Sequence, residues 1–199
     1  MPFLQNRRIL LYAFLALWCC GIAAGAHALW RYSTTPGATG QAPESWPPEA
    51  PIQRRPGRAT LVMLAHPECP CTRASLEELA RIMARCDADG VVLFVRPEGA
   101  DAGWERTGLW EKAAAIPGVR VLADVDGTAA KAFGAETSGH VLFYDANGAL
   151  QFSGGITPSR GHEGPSAGRD AILAAAQGGA PGRKCSLTYG CPLLSPETK

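Results

Sequence analysis

Residues 61–79 read LVMLAHPECPCTRASLEEL. They open on an apolar, partly β-branched run, residues 61–64, of the kind that fills a buried strand. His66-Pro67-Glu68-Cys69-Pro70-Cys71 comes next. An amphipathic helix then starts at once, with Leu76, Leu79 and Ile82 on one side and Glu77, Glu78 and Arg81 elsewhere. Two thiols therefore sit where a strand hands over to a helix N-terminus. Unpartnered backbone N–H groups and the helix dipole favour negative charge there, so a thiolate is stabilised. A cysteine so placed is predicted to have a lowered pKa and to act as a nucleophile or a soft-metal ligand at neutral pH.

The pattern alternates on both sides of this junction. Residues 59–65 read as a strand and 72–86 as a helix. Residues 91–96, VVLFVR, are a near-continuous apolar run, the mark of a strand buried on both faces. A helix is predicted over 104–116 with Pro117-Gly118 as its stop, a short strand over 119–123 and a short helix over 128–133. Residues 141–145 turn through Ala146-Asn147-Gly148 into 150–152, and Asn-Gly between two apolar runs signals a hairpin. Residues 168–177 close the pattern as a helix. Helices alternating with buried strands, then a hairpin and a last helix, imply an α/β sandwich with a mixed sheet.

That order resembles the thioredoxin fold over residues 59–179. Within the superfamily the chain resembles the membrane-anchored, exported TlpA-type and SCO-type proteins. It also resembles a RedB-type group that carries HPxCPCTRASL, GGIT…RGHEG and a Gly-Cys-Pro-Leu tail, here residues 66–76, 154–164 and 190–193. The resemblance implies a thioredoxin-like α/β sandwich, a mixed β-sheet flanked by helices, preceded by one N-terminal transmembrane helix.

The same resemblance sets out the chemistry to expect. Thioredoxins use Cys-x-x-Cys, where the first cysteine attacks a disulfide and the second resolves the mixed intermediate. The helix phase at Glu78-Leu79 puts Cys69 on the attacking position and Thr72 on the usual resolving one. Cys71 takes the place between them, giving Cys-Pro-Cys. A disulfide in so small a ring is hard to accommodate in relaxed geometry, and strained disulfides are easily reduced, so a Cys69–Cys71 pair would be comparatively oxidising. The competing reading makes both thiols inert packing residues. Thioredoxin-like proteins also place a cis-proline before the strand facing the motif, partly to keep metals off the thiols. This chain has Thr137-Ser138-Gly139-His140 there, with Gly139 at the proline's place and His140 alongside as a candidate ligand.

Other residues invite a role. His66, three residues before Cys69, suits thiolate stabilisation, proton transfer or metal ligation, or simply ends a strand. His162 lies in the loop Arg160-Gly161-His162-Glu163-Gly164, and loops on a rigid sheet are where sites are built. Cys185 and Cys191 fall in the tail KCSLTYGCPLL, where they are expected to form a disulfide. That bridge would either exchange with Cys69–Cys71 or act only as a staple of about 2–3 kcal/mol. A hinge is predicted over 178–182. Cys86 reads as a buried small hydrophobe.

The 199 residues suit one ordinary domain with appendages, and 46% hydrophobic against 19% charged residues argues for a globular protein. A net charge of +1 gives no electrostatic case for nucleic-acid binding. Residues 1–32 read as a membrane anchor: Arg7 and Arg8 precede an uncharged run, 9–30, long enough to span a bilayer, and would hold the N-terminus in the cytoplasm. Ala26-His27-Ala28 also fits a cleaved signal peptide. Either way residues 33–199 are exported, to the periplasmic side in a Gram-negative bacterium. Cys19 and Cys20 are apolar filler in this run. Residues 33–58, rich in Pro, Gly and polar residues, read as a linker holding the domain off the membrane, and 180–199 as a cysteine-bearing tail.

Three functions follow. The first is thiol–disulfide exchange with the thiols and disulfides of exported proteins, Cys69 being the nucleophile and Cys71 or a tail cysteine resolving. A peroxidase is a variant with Thr72 activating Cys69, although the Pro-x-x-x-Thr-x-x-Cys spacing is absent. The second is an SCO-like chaperone holding Cu(I) through Cys69, Cys71 and a histidine such as His140. The third is a docking module without catalysis.

Overall fold

The computed structural model describes residues 2–179 and 182–194. The chain falls into two compact units, residues 1–35 and 36–199. The first is one helix, α1 (Pro2–Thr34). Its span Asn6–Thr34 has 29 residues, and its most apolar 18-residue stretch has a mean hydropathy of 2.1, so it is long and apolar enough to cross a membrane.

The second unit is built on a five-stranded mixed sheet. Its elements are β1 (Ala59–Ala65), α2 (Pro70–Met83), β2 (Ala88–Arg96), α3 (Gly108–Ala114), β3 (Val119–Val125), α4 (Thr128–Ala132), β4 (His140–Tyr144), β5 (Leu150–Gly155) and α5 (Ala167–Ala176). The strand order is β3-β2-β1-β4-β5. β1, β2 and β3 run parallel, with Val62 opposite Val91 and Val92 opposite Val121. β4 lies antiparallel to β1, with Val62 opposite Leu142, and β5 antiparallel to β4. The central strands are buried on both faces, which is why their sequences run apolar without alternation.

Each face has its own core. On one, Leu76, Leu79 and Ile82 of α2 pack with Ala113 of α3, Ile172 of α5 and Met63, Phe94, Val141 and Phe152 of the sheet. Truncating one of these fully buried side chains to alanine costs about 2–5 kcal/mol. On the other, Ala129 and Ala130 of α4 pack with Phe133, Val62, Leu64, Leu142 and Tyr144, joined by Ile52 and Leu193 from outside the expected domain.

Three sequence expectations change here. Helix α3 starts at Gly108 rather than 104, because residues 101–107 close successive turns (Trp104 N–H to Asp101 O, Arg106 N–H to Gly103 O) before Thr107 caps α3. Residues 36–58 lie along the domain and do not stand clear as a linker. Leu150 N–H donates to Glu44 O and Trp46 N–H to Gly148 O, both at 2.8 Å. The Trp46 ring stacks edge-on against Phe133 and Tyr144 at 5.1 and 5.3 Å. The tail likewise runs over the domain: Lys184–Ser186 hydrogen-bonds to Ser153 of β5, and Pro192 bridges Thr137. Of the hinge expected over 178–182, Ala180 and Pro181 lie outside the described residues, as do 195–199 of the tail.

Candidate functional site

The Cys-Pro-Cys motif sits at the C-terminal end of β1. Cys69 is the N-cap of α2 and Pro70 its first residue, where a missing N–H costs nothing and the fixed φ already suits a helix. The lead-in is pinned from three sides. The His66 N–H donates to Ser138 Oγ (2.8 Å), the Thr107 hydroxyl to Pro67 O (2.9 Å), and the Cys69 N–H to His66 O (3.2 Å).

Cys69 is 1% exposed. Burial alone would push its thiol up, but hydrogen bonds from the Cys191 N–H and thiol, then from the Thr72 hydroxyl and N–H, together outweigh it. The thiol therefore lies below its ordinary value. Cys71 goes the other way. Burial and the neighbouring Cys69 charge raise it, with the Arg160 guanidinium opposing. Cys191 is pushed up to about 11 by burial and by Cys69. One acidic thiol is thus flanked by two that stay protonated.

The Thr72 hydroxyl belongs to a chain of donors. Ser138 Oγ accepts from His66 N–H and shares a hydrogen bond with the Thr72 hydroxyl at 2.8 Å; with Ser138 as its donor, Thr72 keeps its own proton for the sulfur. The Thr72 hydroxyl also lies within reach of Cys69, whose thiol pKa it lowers, and of His66 O at 3.4 Å.

The histidines lie elsewhere. His66 Nδ1 accepts from Glu68 N–H (3.2 Å), so its proton sits on Nε2, and the ring packs edge-on against Trp104. Burial lowers its pKa. His140 is buried and paired through Nε2 with Ser153 Oγ (2.8 Å), and burial holds it neutral, at about 4. His162 is exposed and donates from Nδ1 to Arg160 O (2.7 Å). Among the described residues no group of three or more His, Cys, Asp or Glu side chains is arranged to hold a metal ion. The tail cysteines also part company. Both are free thiols: Cys191 lies against Cys69, while Cys185 is exposed beside Ser153 at the β5 edge, so the expected Cys185–Cys191 bridge is not present. Cys86 is half-buried against the α2-side core.

Two residues that sequence reasoning passed over complete the site, Ser138 and Arg160. Both lie in stretches already singled out, in which Gly139, His140 and His162 were weighed instead. Arg160 is delivered by a loop locked to α2. Buried Glu78 accepts from Gly164 N–H (2.8 Å) and Arg169 of α5 (3.1 Å), and pairs with Arg81, which also meets Glu163.

No protein-family model matches this chain, and no curated protein matches it. Solved structures do. An uncharacterized conserved protein from Geobacillus kaustophilus superposes with a TM-score of 0.57 at 19% identity, over 84% of this chain and 96% of that one. A hypothetical protein from Sinorhizobium meliloti gives 0.54 at 23% identity, over 69% and 79%. A secreted Mycobacterium tuberculosis disulfide oxidoreductase, described as homologous to Escherichia coli DsbE, gives 0.40 at 22% identity, over 48% and 67%. The order β2-β1-β4-β5, with α2 between β1 and β2 and α5 after the hairpin, is decisive. The fold is thioredoxin-like.

This thioredoxin-like domain departs from the expected pattern at Gly139 for a physical reason. Gly139 has φ +86° and its N–H donates to Leu64 O (2.8 Å), so proline, with φ near −65° and no N–H, fits neither requirement. A side chain there would also strike Ser75 Oγ. The neighbouring Ser138 N–H is taken by the chain's own tail, donating to Cys191 O (2.8 Å).

Proposed function

We propose that this protein is an exported, membrane-anchored thiol–disulfide exchange protein acting on the thiols and disulfides of other exported proteins. Cys69 is its nucleophile. The observation that carries the reading is the split among neighbouring thiols: Cys69 is held toward thiolate by four donors, while Cys71 and Cys191 stay protonated. An attacking sulfur needs the charge, and a second thiol nearby is needed to finish the exchange. Thr72 serves as the hydroxyl donor to the thiolate. The α1 helix is the anchor, Arg7 and Arg8 staying on the cytoplasmic side. Cys69 is almost fully covered, with Cys191 of the tail against it.

The test is exchange with glutathione disulfide by reduced, full-length protein in detergent. Cys69→Ser is expected to abolish it, and exchange that survives this substitution would sink the proposal. Copper handling is the second reading, favoured by adjacent thiols of a kind that select Cu(I). With His140 held by Ser153, it would rest on sulfur alone. Intact mass of the reduced protein after Cu(I) addition separates the two readings, since stoichiometric retention of copper supports the second.

A further inference from the structure

Cys191 meets Cys69 through both its backbone N–H and its thiol. The tail that brings it there is tied into the domain by an isolated β-bridge and its flanking hydrogen bonds. Ser138 N–H donates to Cys191 O (2.8 Å), Leu193 N–H to Glu136 O (2.9 Å), and Arg160 Nη1 to Gly190 O (2.7 Å). Pro192 pairs antiparallel with Thr137, and Leu193 is buried in the core beneath. Gly190 passes so close to Ser138 O that no other residue fits. Cys71 is placed differently. It follows the extended N-cap residue Cys69 by two residues at the start of α2. Its thiol also hydrogen-bonds with Cys69, but a bond between the two would close the small Cys-Pro-Cys ring, which relaxed disulfide geometry accommodates poorly, and the Arg160 guanidinium holds Cys71 as well.

We infer that Cys191 is the resolving cysteine and that the working disulfide is Cys69–Cys191, joining the helix N-terminus to the tail. The inference rests on the exchange reading above. The Cys69 thiolate attacks one sulfur of a protein disulfide; that S–S bond breaks, a mixed disulfide forms, and one substrate sulfur leaves as thiolate. The Cys191 thiolate then attacks the Cys69 sulfur. The mixed disulfide breaks, Cys69–Cys191 forms, and the second substrate sulfur leaves, taking up the proton that Cys191 gave up. Two electrons pass from the protein dithiol to the substrate disulfide. In reverse the same steps oxidise a substrate dithiol, and a dithiol or disulfide partner protein resets the pair. The order of events is built in. Burial and the Cys69 charge keep Cys191 protonated at first, and once that charge is consumed in the mixed disulfide, Arg160 remains to favour the Cys191 thiolate.

The test is a peptide map of full-length protein oxidised with glutathione disulfide and digested without reductant. A Cys69–Cys191 cross-linked pair is expected. Cys191→Ser should lose turnover and accumulate glutathione on Cys69, whereas Cys185→Ser should behave as wild type. A Cys69–Cys71 bond in the oxidised protein, or wild-type turnover by Cys191→Ser, overturns the assignment. If Cys69→Ser is dead while Cys191→Ser is unaffected, only this inference falls; if Cys69→Ser still exchanges, the redox reading falls with it. The map is read on the wild-type chain and does not depend on any variant folding.

Discussion

At Cys69 two effects of opposite sign act on one sulfur, and the donors decide the outcome. Burial favours the neutral thiol, whereas Cys191 and Thr72 point hydrogens at the sulfur and favour the anion. Of these donors Thr72 can be removed most cleanly, because valine keeps its shape and takes away only the hydroxyl. A hydrogen bond to a charged group contributes about 1.5–3 kcal/mol. Losing a donor to an anion raises its pKa. Thr72→Val is therefore expected to move the Cys69 titration up and to slow its alkylation at neutral pH. The measurement is the pH dependence of thiolate ultraviolet absorbance in a variant retaining Cys69 alone among the thiols of the site. An unchanged midpoint would show that the relay through Ser138 and Thr72 does not reach the sulfur.

Among the elements, α2 does two jobs: its N-terminus presents the thiols, and Glu78 in its middle fixes the loop that carries Arg160. The Glu78 carboxylate is fully buried between Arg81, Arg169 and the Gly164 N–H. Removing one partner from a buried ionic cluster costs roughly 3–5 kcal/mol. The arginines here keep some contact with water, so Glu78→Gln belongs at the lower end of that range. Its expected signature is a lowered melting temperature together with a Cys71 thiol that titrates still higher, because the loop no longer holds Arg160 in place. A variant that melts early with Cys71 unmoved would limit Glu78 to a structural role. Sequence reached only part of this arrangement. The apolar runs at 61–64 and 91–96 and the Asn147-Gly148 turn are local signals, and they gave the strands and the hairpin directly. The partners of Glu78 come from α5 and the 160–164 loop, and no local pattern marks a carboxylate as buried. For α3 the apolar pattern back to Trp104 outweighed the capping signal of Thr107.

For the molecule as a whole, the domain extends beyond the pattern that reveals it. Residues 36–58 looked like a solvated linker because their few large apolar side chains, Trp46 and Ile52, are scattered among prolines and polar residues. Such a segment cannot fold alone, yet it packs well on a surface already made. The same holds for the tail, whose Leu193 and Cys191 find their partners at Glu136, Thr137 and Ser138, far away in sequence. Residues 36–58 and Leu193 of the tail join the core on the α4 side of the sheet, and this sets the limits of a foldable fragment. Cutting at residue 59 would strip Trp46 from Phe133 and Tyr144, remove Ile52 from the core, and break the paired Arg55–Asp89 hydrogen bonds at 2.7 and 2.6 Å. Burial of an aliphatic side chain contributes about 1.5–3 kcal/mol, and each aromatic pair about 0.5–1.5 kcal/mol more. With the area under Trp46 the loss is on the order of 5 kcal/mol, equivalent to a melting temperature lower by roughly 10–20 °C. Residues 36–199 are thus expected to give a soluble, cooperatively melting domain, and residues 59–199 one that aggregates or melts far earlier. Thermal denaturation of the two fragments side by side settles the boundary: equal melting temperatures would return residues 36–58 to the status of a linker.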